Sequence, residues 1–544
     1  MKALKPVASY SALHTHRKVV LLFLFLILYF LLLAAGCNRA DPISEVVKTE
    51  NGWVKGSFDS ESGIYSFKGI PYADSPIDSL RWRAPRPAHT WKDTLYATHF
   101  GDICMQHDPV PFMMWTKEFI TPDLSMSEDC LTLNIWTSEG NPSPRRPVIL
   151  FIHGGGFTSG SGAVPIYDGT NMAEKGVVFV TINYRVGIFG FLAHKELTES
   201  STLESSGNYG LLDQIEALKW VRNNIESFGG DPNNVTIAGQ SAGSFSANYL
   251  TISPLAENLF HRVIAESGAA FLPSNRLGTG NSLEEAQETG KRIAEYFKTE
   301  SLDALQSIPA DSLLNVQTNF GPVIDGKVIP GHMFHLYMEG EFHDVPVLTG
   351  WNEDEGLMMG PVLSADQYRE SVRSIYDERS DKILQLFPAQ NDSIAAESQF
   401  ELEKLTTFGL QSWKWAQMVH DHGSSNVYLY HFSRDLPHTP DQYDFGAFHT
   451  GEVPYAYANL EQSDRPWSET DRQLSEAMAS YWASFARDGV PNFQGGPAWP
   501  PFDPESARVI HFSDSVYNGD MPVKPHLELL DDIYTERVKK ISNH

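Results

Sequence analysis

Residues 234–248 read NVTIAGQSAGSFSAN and contain the pattern Gly-x-Ser-x-Gly at residues 239–243. Residues 235–238, Val-Thr-Ile-Ala, predict a short buried strand, and the small residues after the pattern predict the start of a helix. A strand, a sharp turn and a helix are the context in which this pattern forms a nucleophile elbow, although the bare pattern also occurs by chance in loops. We expect glycine on both sides of Ser241 because a Cβ there would collide with the neighbouring strand or helix. Ser241 would then project at a helix N-terminus, where backbone N–H groups stabilise a developing negative charge.

A run of three glycines follows a second predicted strand. Residues 147–153, PVILFIH, and residues 177–183, VVFVTIN, are continuous apolar runs typical of buried strands. Between them, residues 153–157 read HGGGF. Consecutive glycines let backbone N–H groups point at a ligand oxygen, and this run after a strand indicates an oxyanion loop of the lipase and esterase type. The alternative is a flexible glycine-rich loop.

Strands and helices alternate from Val46 onward, which predicts one continuous mixed α/β domain. Residues 210–226 carry apolar side chains at helical spacing and predict an amphipathic helix that covers a sheet. Residues 262–266, 345–350 and 427–432 predict further strands.

The composition indicates a globular protein that does not bind nucleic acid. The chain has 544 residues, of which 42% are hydrophobic and 12% aromatic. The formal net charge of −27 argues against nucleic acid or anionic lipid as a partner of the body of the protein. His420 and His422 have a spacing found in metal sites, but they precede Gly423 at a predicted helix end, where histidine favours the helix dipole. We therefore predict no metal and no organic cofactor.

The N-terminus predicts export. Residues 1–18 are basic and lack acidic side chains, and residues 19–35 are apolar. The small residues that run into Cys37 resemble the lipobox of bacterial lipoproteins, in which the signal is removed and the cysteine is lipidated. We expect a signal peptide at 1–36, a tether at 37–45 and the domain at 46–544, anchored by lipid to a bacterial membrane and facing the periplasm or the cell surface. The alternatives, a secreted form and an uncleaved signal anchor, also place the body outside the cytoplasm.

Lipidation of Cys37 would leave Cys104 and Cys130 as an even pair among the three cysteines. In an oxidising compartment this pair predicts a disulfide, which would contribute about 3 kcal/mol by closing its loop. The alternative is two free buried thiols.

Seven ordered stretches together resemble the type-B carboxylesterase family, which includes cholinesterases and bacterial para-nitrobenzyl esterases. They are FKGIPYA, SEDCLTLNIW, ILFIHGGGF, the long stretch from YGLLDQIEA to AGQSAG, LFHRVIAESG, NEDEG and GAFHTGE. The resemblance covers about residues 46–540. The resemblance implies an α/β-hydrolase fold, with a large, mostly parallel central sheet, helices on both faces and long insertions. It implies a serine carboxylesterase that hydrolyses uncharged alkyl or aryl esters. The partner would be a small-molecule ester substrate, and no cofactor is implied.

The resemblance also assigns residues to roles. It makes Ser241 the nucleophile, His449 the general base and Glu355 the orienting acid, in the order expected for this fold. It implies that the backbone N–H groups of Gly155, Gly156 and Ala242 form the oxyanion hole. Glu355 is selected over its neighbours only by the motif, and Glu353 and Asp354 are expected to be solvated.

Two departures from the family pattern concern the site. Gln240 replaces the usual glutamate before the nucleophile, which removes a negative charge and argues against cationic choline esters. Thr450 replaces the usual glycine after the histidine.

In the family, the loop that Cys104 and Cys130 would close lines the rim of the active-site gorge. The predicted substrate pocket accordingly includes Gln240, Phe157, Trp115, Trp351 and Met358, with core packing as the alternative for the last four.

Two functional alternatives remain from the sequence. One is a polyester, lipid or toxin-ester hydrolase with the same mechanism. The other is a non-catalytic binding protein of the neuroligin-like branch, although such branches lose the serine that this chain keeps. No oligomeric state is predicted.

Overall fold

An 11-stranded sheet runs through the centre of the computed structural model, which describes residues 43–140, 144–273, 281–355, 361–440 and 443–540. Its strands within these ranges are β1 (Ser57–Asp59), β2 (Ile64–Pro71), β3 (Thr132–Ser138), β4 (Arg146–Ile152), β5 (Val178–Ile182), β6 (Gly230–Gln240), β7 (Arg262–Glu266), β8 (Val347–Asn352), β9 (Val427–Phe432), β10 (Arg508–Phe512) and β11 (Val516–Asp520). Their spatial order is β11-β10-β9-β8-β7-β6-β4-β5-β3-β2-β1. Strands β4 to β10 run parallel, whereas β1, β2, β3 and β11 pair antiparallel at the two edges. The prediction of an α/β fold with a mostly parallel sheet is confirmed.

The helices connect these strands and form the insertions between them. The α-helices are Thr170–Glu174, Gly187–Phe191, Lys195–Glu199, Tyr209–Asn224, Ala242–Leu250, Leu283–Phe297, Leu302–Gln306, Ala310–Leu313, Met333–Glu339, Ala365–Tyr376, Ser380–Leu386, Asp392–Lys404, Leu410–His422, Val453–Ala456, Glu469–Asp488 and Lys524–Val538. Short 3-10 helices occupy Asp78–Leu80, Lys117–Phe119, Pro165–Tyr167, Ile225–Phe228, Pro254–Ala256, Asp377–Arg379 and Leu460–Gln462. Small sheets pair Val46–Lys48 with Trp53–Lys55 and Leu95–Tyr96, Ile103–Cys104 with Met126–Ser127, and Asn281–Ser282 with Val323–Ile324.

Alternate residues of the central strands enter two different cores. In β4, Leu150 packs in the core that contains Leu218 of the helix Tyr209–Asn224. Its neighbour Phe151 points to the other core, which contains Trp482 of the helix Glu469–Asp488. Because successive side chains of a strand point to opposite faces, helices cover both faces of the sheet, as predicted.

Two predicted elements show how well local pattern placed the boundaries. The helix predicted at residues 210–226 is observed as Tyr209–Asn224. The strand predicted at 345–350 instead extends through Asn352, because its parallel pairing with β9 continues to Phe432. This extension brings Glu355 closer to the end of the strand than the prediction placed it.

A disulfide joins Cys104 and Cys130, whose Cα atoms are 5.0 Å apart, so that prediction is confirmed. We call residues 105–129, which it closes off, the disulfide loop. The predicted signal peptide at 1–36 and Cys37 lie outside the described residues. None of the helices within the described ranges is long and apolar enough to cross a membrane.

Candidate active site

The turn between β6 and the helix Ala242–Leu250 holds Ser241 in a conformation that side chains rarely adopt. Its φ is 56° and its ψ is −123°. Such a backbone costs of the order of 1–3 kcal/mol and persists only where neighbouring contacts hold it. Here Ser241 N donates to the carbonyl of Glu266 at 2.9 Å, and its own carbonyl accepts from Phe245 N at 2.9 Å. The serine therefore stands at the helix N-terminus, at the end of the central strand.

The two glycines of the pattern are required by close packing, as the sequence predicted. A Cβ on Gly239 would lie 2.4 Å from the carbonyl carbon of Gly243. A Cβ on Gly243 would lie 1.9 Å from the carbonyl oxygen of Ile152 in β4. Larger residues would push the helix away from the sheet and move the serine.

The three acids after β8 have three different environments. Glu353 is half-exposed and lies 3.1 Å from His431 Nε2, and this hydrogen bond lowers the pKa of Glu353 to about 2. Asp354 is half-buried, and its carboxylate accepts from Ala447 N at 2.9 Å. Glu353 is exposed, as expected, although it also contacts His431. The expectation is wrong for Asp354, which joins the acid loop to the segment that carries the histidine.

Glu355 is fully buried and contacts the histidine directly. Its Oε1 accepts from Ser267 Oγ and Asn352 N, each at 2.7 Å, and its Oε2 lies 2.5 Å from His449 Nδ1. An ionised carboxylate only accepts, so Nδ1 carries the ring proton and Nε2 presents a lone pair. This is the tautomer that a general base requires.

The His449 ring is buried between two aromatic side chains. The centroid of the Phe408 ring lies 4.7 Å from that of His449, and Trp115 meets the ring edge-on at 6.5 Å. Trp115 Nε1 donates to Thr450 Oγ1 at 3.2 Å. Thr450 has a φ of 81°, which a glycine would adopt without strain. Threonine at position 450 therefore strains the backbone, but its hydroxyl accepts the hydrogen bond that holds Trp115 against the histidine.

Gln240 contacts the other nitrogen of the histidine. Its Nε2 lies 3.2 Å from His449 Nε2, and because that nitrogen holds the lone pair, the amide donates. Within the described part of the chain, no hydrogen bond joins Ser241 Oγ to His449. The resting histidine is thus bonded to Glu355 and Gln240, and it lines the same cavity as Ser241.

The glycine run forms a tight turn opposite the serine. Gly155 and Gly156 have φ values of 113° and 60°, and the carbonyl of Gly155 accepts from Ser159 N at 3.1 Å. Among the residues that the structure describes, no protein acceptor takes the backbone N–H of Gly155, Gly156 or Ala242. All three residues line the same cavity as Ser241. Their N–H groups are therefore available to an oxygen atom of a ligand.

The cavity above Ser241 has a volume of about 550 Å³, which suits a drug-sized ligand. The disulfide loop forms one wall and the segment 400–408 forms the other. Apolar and aromatic side chains predominate in its described lining: Val110, Phe112, Trp115, Phe119, Ile120, Val164, Tyr167, Phe400 and Phe408. Val110 and Phe112 are more than half exposed, so the mouth of the cavity is apolar as well.

Only part of the predicted pocket lines this cavity. Trp115 and Gln240 do, whereas Phe157 and Trp351 do not. Phe157 packs edge-on against Phe191 at 5.3 Å, and Trp351 is buried beneath the site against Gly409. These two follow the core-packing alternative, because both side chains are buried in the hydrophobic core. Met358 lies outside the described residues.

Sequence reasoning missed the wall formed by Phe400 and Phe408. Between the helices Asp392–Lys404 and Leu410–His422, residues Leu405–Gly409 form a π-helical turn. Such a turn inserts an extra residue into a helix and is frequent at functional sites. Thr406, Thr407 and Gly409 are weak helix formers within this stretch, but such residues do not by themselves specify a π-helical turn.

Two buried carboxyl groups lie behind the triad residues. Burial raises the pKa of Glu266 to about 8, and it raises that of Glu452 well above its usual value. In both groups burial disfavours the charged carboxylate. Trp482 Nε1 donates to Glu266 at 2.7 Å, and Asn352 Nδ2 donates to Glu452 at 2.5 Å. Of these three buried carboxyl groups, Glu355 is the one that contacts the histidine.

No metal centre accompanies these residues in the described ranges. No group of three or more His, Cys, Asp or Glu side chains in that part of the chain is arranged to hold an ion. His420 and His422 lie in the last turn of the helix Leu410–His422.

Comparison with known proteins gives one family and many relatives. Residues 43–526 match the model of the carboxylesterase family. The chain is 33% identical to fumonisin B1 esterase of Sphingopyxis macrogoltabida over 506 residues, covering 89% of both chains. It is 33% identical to para-nitrobenzyl esterase of Bacillus subtilis, covering 86% of this chain and 94% of the relative. It is also 33% identical to pyrethroid hydrolase Ces2e of Rattus norvegicus, covering 87% of each.

Proposed function

The chain belongs to the carboxylesterase family and is a carboxylic ester hydrolase, and we propose that it cleaves uncharged alkyl or aryl esters through an acyl-enzyme on Ser241. The observation that carries this proposal is the placement of His449, which is bonded to Glu355 through Nδ1 and lines the same cavity as the strained Ser241. The free N–H groups of the glycine turn on the same cavity support it further.

In the first half of the reaction, Ser241 Oγ attacks the ester carbonyl carbon and its proton moves to His449 Nε2. Glu355 keeps Nδ1 protonated and balances the charge of the imidazolium. The carbonyl oxygen becomes an oxyanion, which the N–H groups of Gly155, Gly156 and Ala242 stabilise. The bond to the alcohol oxygen then breaks, and the alcohol leaves with the proton from His449.

In the second half, water attacks the acyl group on the serine. His449 accepts the proton of the water, and a second oxyanion forms in the same place. Its collapse breaks the bond to Ser241 Oγ, which recovers the proton. The products are the carboxylic acid and the free enzyme.

The groups at Lys404 and Gln240 favour a neutral ester. Lys404 is the cation of its described lining, but its Nζ is bonded to Glu401 at 2.5 Å and to the carbonyl of Glu353 at 2.7 Å. No free cation is thus positioned there to bind an anionic acyl group. Beside the nucleophile, Gln240 is an uncharged amide, so the site also lacks a carboxylate that would attract a cationic alcohol at that point.

Ester turnover by the folded domain tests the proposal. We expect hydrolysis of p-nitrophenyl butyrate, with loss of at least about 10³-fold in kcat in Ser241→Ala. Unchanged turnover in that variant would refute the assignment of the nucleophile. Active-site labelling by a fluorophosphonate, which the parent should take up and the variant should not, provides an independent reading.

A panel of esters separates this proposal from its alternatives. The relatives are named for para-nitrobenzyl esters, pyrethroids and fumonisin B1. We expect neutral aryl and alkyl esters to give the highest kcat/KM. A clear preference for an aggregated lipid, a polyester or fumonisin B1 would favour the lipid, polyester or toxin-ester alternative of the same mechanism.

We further propose that the chain is exported and lipidated at Cys37. The basic and apolar N-terminal segment and the small residues before the cysteine support this. A disulfide at Cys104 and Cys130 suits an oxidising compartment. Palmitate labelling of cells should mark the protein but not Cys37→Ser, and label that persists in the variant would refute lipidation there.

A further inference from the structure

The amide of Gln240 is bonded to the one atom of His449 that must accept a proton. We propose that Gln240 is a positioning residue that holds His449 in its neutral form and thereby sets the acid side of the pH range of activity. This inference rests on the proposed function, because it concerns the base of that reaction.

The position of the amide leaves little freedom. Gln240 is 2% exposed, and a Cβ on Gly154 would come within 3.0 Å of its Oε1. The amide is therefore packed between the glycine turn and the histidine, with its Nε2 at 3.2 Å from His449 Nε2.

A donor at this place favours the neutral ring. Neutral His449 presents a lone pair to the amide N–H, whereas protonated His449 would present a second N–H to the same amide. The protonated ring would have to displace the amide or make it turn over. A glutamate, which the family usually carries here, would act in the opposite way, because its negative charge stabilises the protonated ring.

The other charged groups near His449 remain the same when residue 240 is changed. Glu355 bonds to Nδ1, and the buried carboxyls of Glu266 and Glu452 lie behind it. The disulfide loop brings His107 and Asp108 to the cavity, and the opposite wall brings Glu403 and Lys404. A changed pH profile in a variant of Gln240 therefore reports the group at that position.

The test is the pH dependence of kcat/KM for a neutral p-nitrophenyl ester, with product measured after an alkaline quench. We expect the acid-side midpoint of Gln240→Glu to rise by about 1 pH unit or more, the shift typical of an opposite charge in contact. Gln240→Met keeps the shape and removes the donor, so its midpoint should rise by less. At the pH plateau, both variants should retain kcat within about tenfold of the parent, because neither removes a group that reacts.

The two variants also distinguish positioning from structure. A merely structural role would lower kcat/KM equally at every pH, and midpoints that coincide with that of the parent would overturn the proposal. A midpoint that falls in Gln240→Glu would also overturn it. If Gln240→Glu does not fold, the midpoint of Gln240→Met decides. A parent without ester turnover would instead refute the proposed function.

Discussion

Changing Glu355 to glutamine tests the arrangement of the site most directly. The amide has the shape of the carboxylate but carries no charge and has one end that donates. Glu355 Oε1 accepts from both Ser267 and Asn352. We expect the amide oxygen to keep these two donors, so that the NH₂ group faces His449.

The expected loss follows from this orientation. The NH₂ group and the Nδ1–H of His449 would both be donors, so the ring proton would move to Nε2. His449 could then not accept the proton of Ser241, and the imidazolium would also lose its buried counter-charge. An amide in place of the orienting acid of such a triad typically costs about 10⁴-fold in kcat, which corresponds to about 5.5 kcal/mol.

Steady-state hydrolysis of p-nitrophenyl butyrate measures this loss, and circular dichroism checks that the variant is folded. Glu353→Gln is the matched control. It makes the same chemical change two residues earlier, at a half-exposed carboxylate that does not contact His449. We expect the control to stay within about threefold of the parent. Glu355→Gln within about tenfold of the parent, or equal losses in both variants, would refute the reasoning.

Three further predictions concern the surroundings of the site. Replacing Cys104 and Cys130 by alanine should lower the free energy of unfolding by about 3.5 kcal/mol, the chain-entropy value for a separation of 26 residues; urea denaturation measures this, and an unchanged midpoint would contradict it. Gly155→Ala would place a Cβ 2.2 Å from a neighbouring carbonyl oxygen and should lower kcat by about 10²-fold or more, so near-parental turnover would show that this turn does not hold the oxyanion. Thr450→Gly should raise the free energy of unfolding by about 1 kcal/mol by relieving strain. It should also raise KM for bulky aryl esters, because Trp115 loses its acceptor, and KM equal to that of the parent would argue against that role.

The local features of this protein were largely determined by its sequence. Residues 235–238, the glycines around Ser241 and the small residues after it predicted a strand, a turn and a helix, and each is observed. The helix Tyr209–Asn224 was likewise predicted almost to the residue. Hydrophobic periodicity and the positions that only glycine can occupy depend on a few neighbouring residues. A short stretch of sequence is therefore enough to predict these local elements.

The local sequence pattern could not identify which of three neighbouring acids contacts His449. Glu353, Asp354 and Glu355 are adjacent and chemically alike, and only a family motif distinguished them in the sequence. Folding directs one to His431, one to Ala447 and one to His449.

The remaining parts of the site were decided by the tertiary structure alone. Phe408 reaches His449 through a π-helical turn, and Gln240 bonds to the same ring although it lies 209 residues earlier in the chain. Trp351, which the sequence placed in the pocket, points into the core instead. Side-chain contacts between distant segments depend on how strands and helices pack in three dimensions, and no short stretch of sequence encodes that packing.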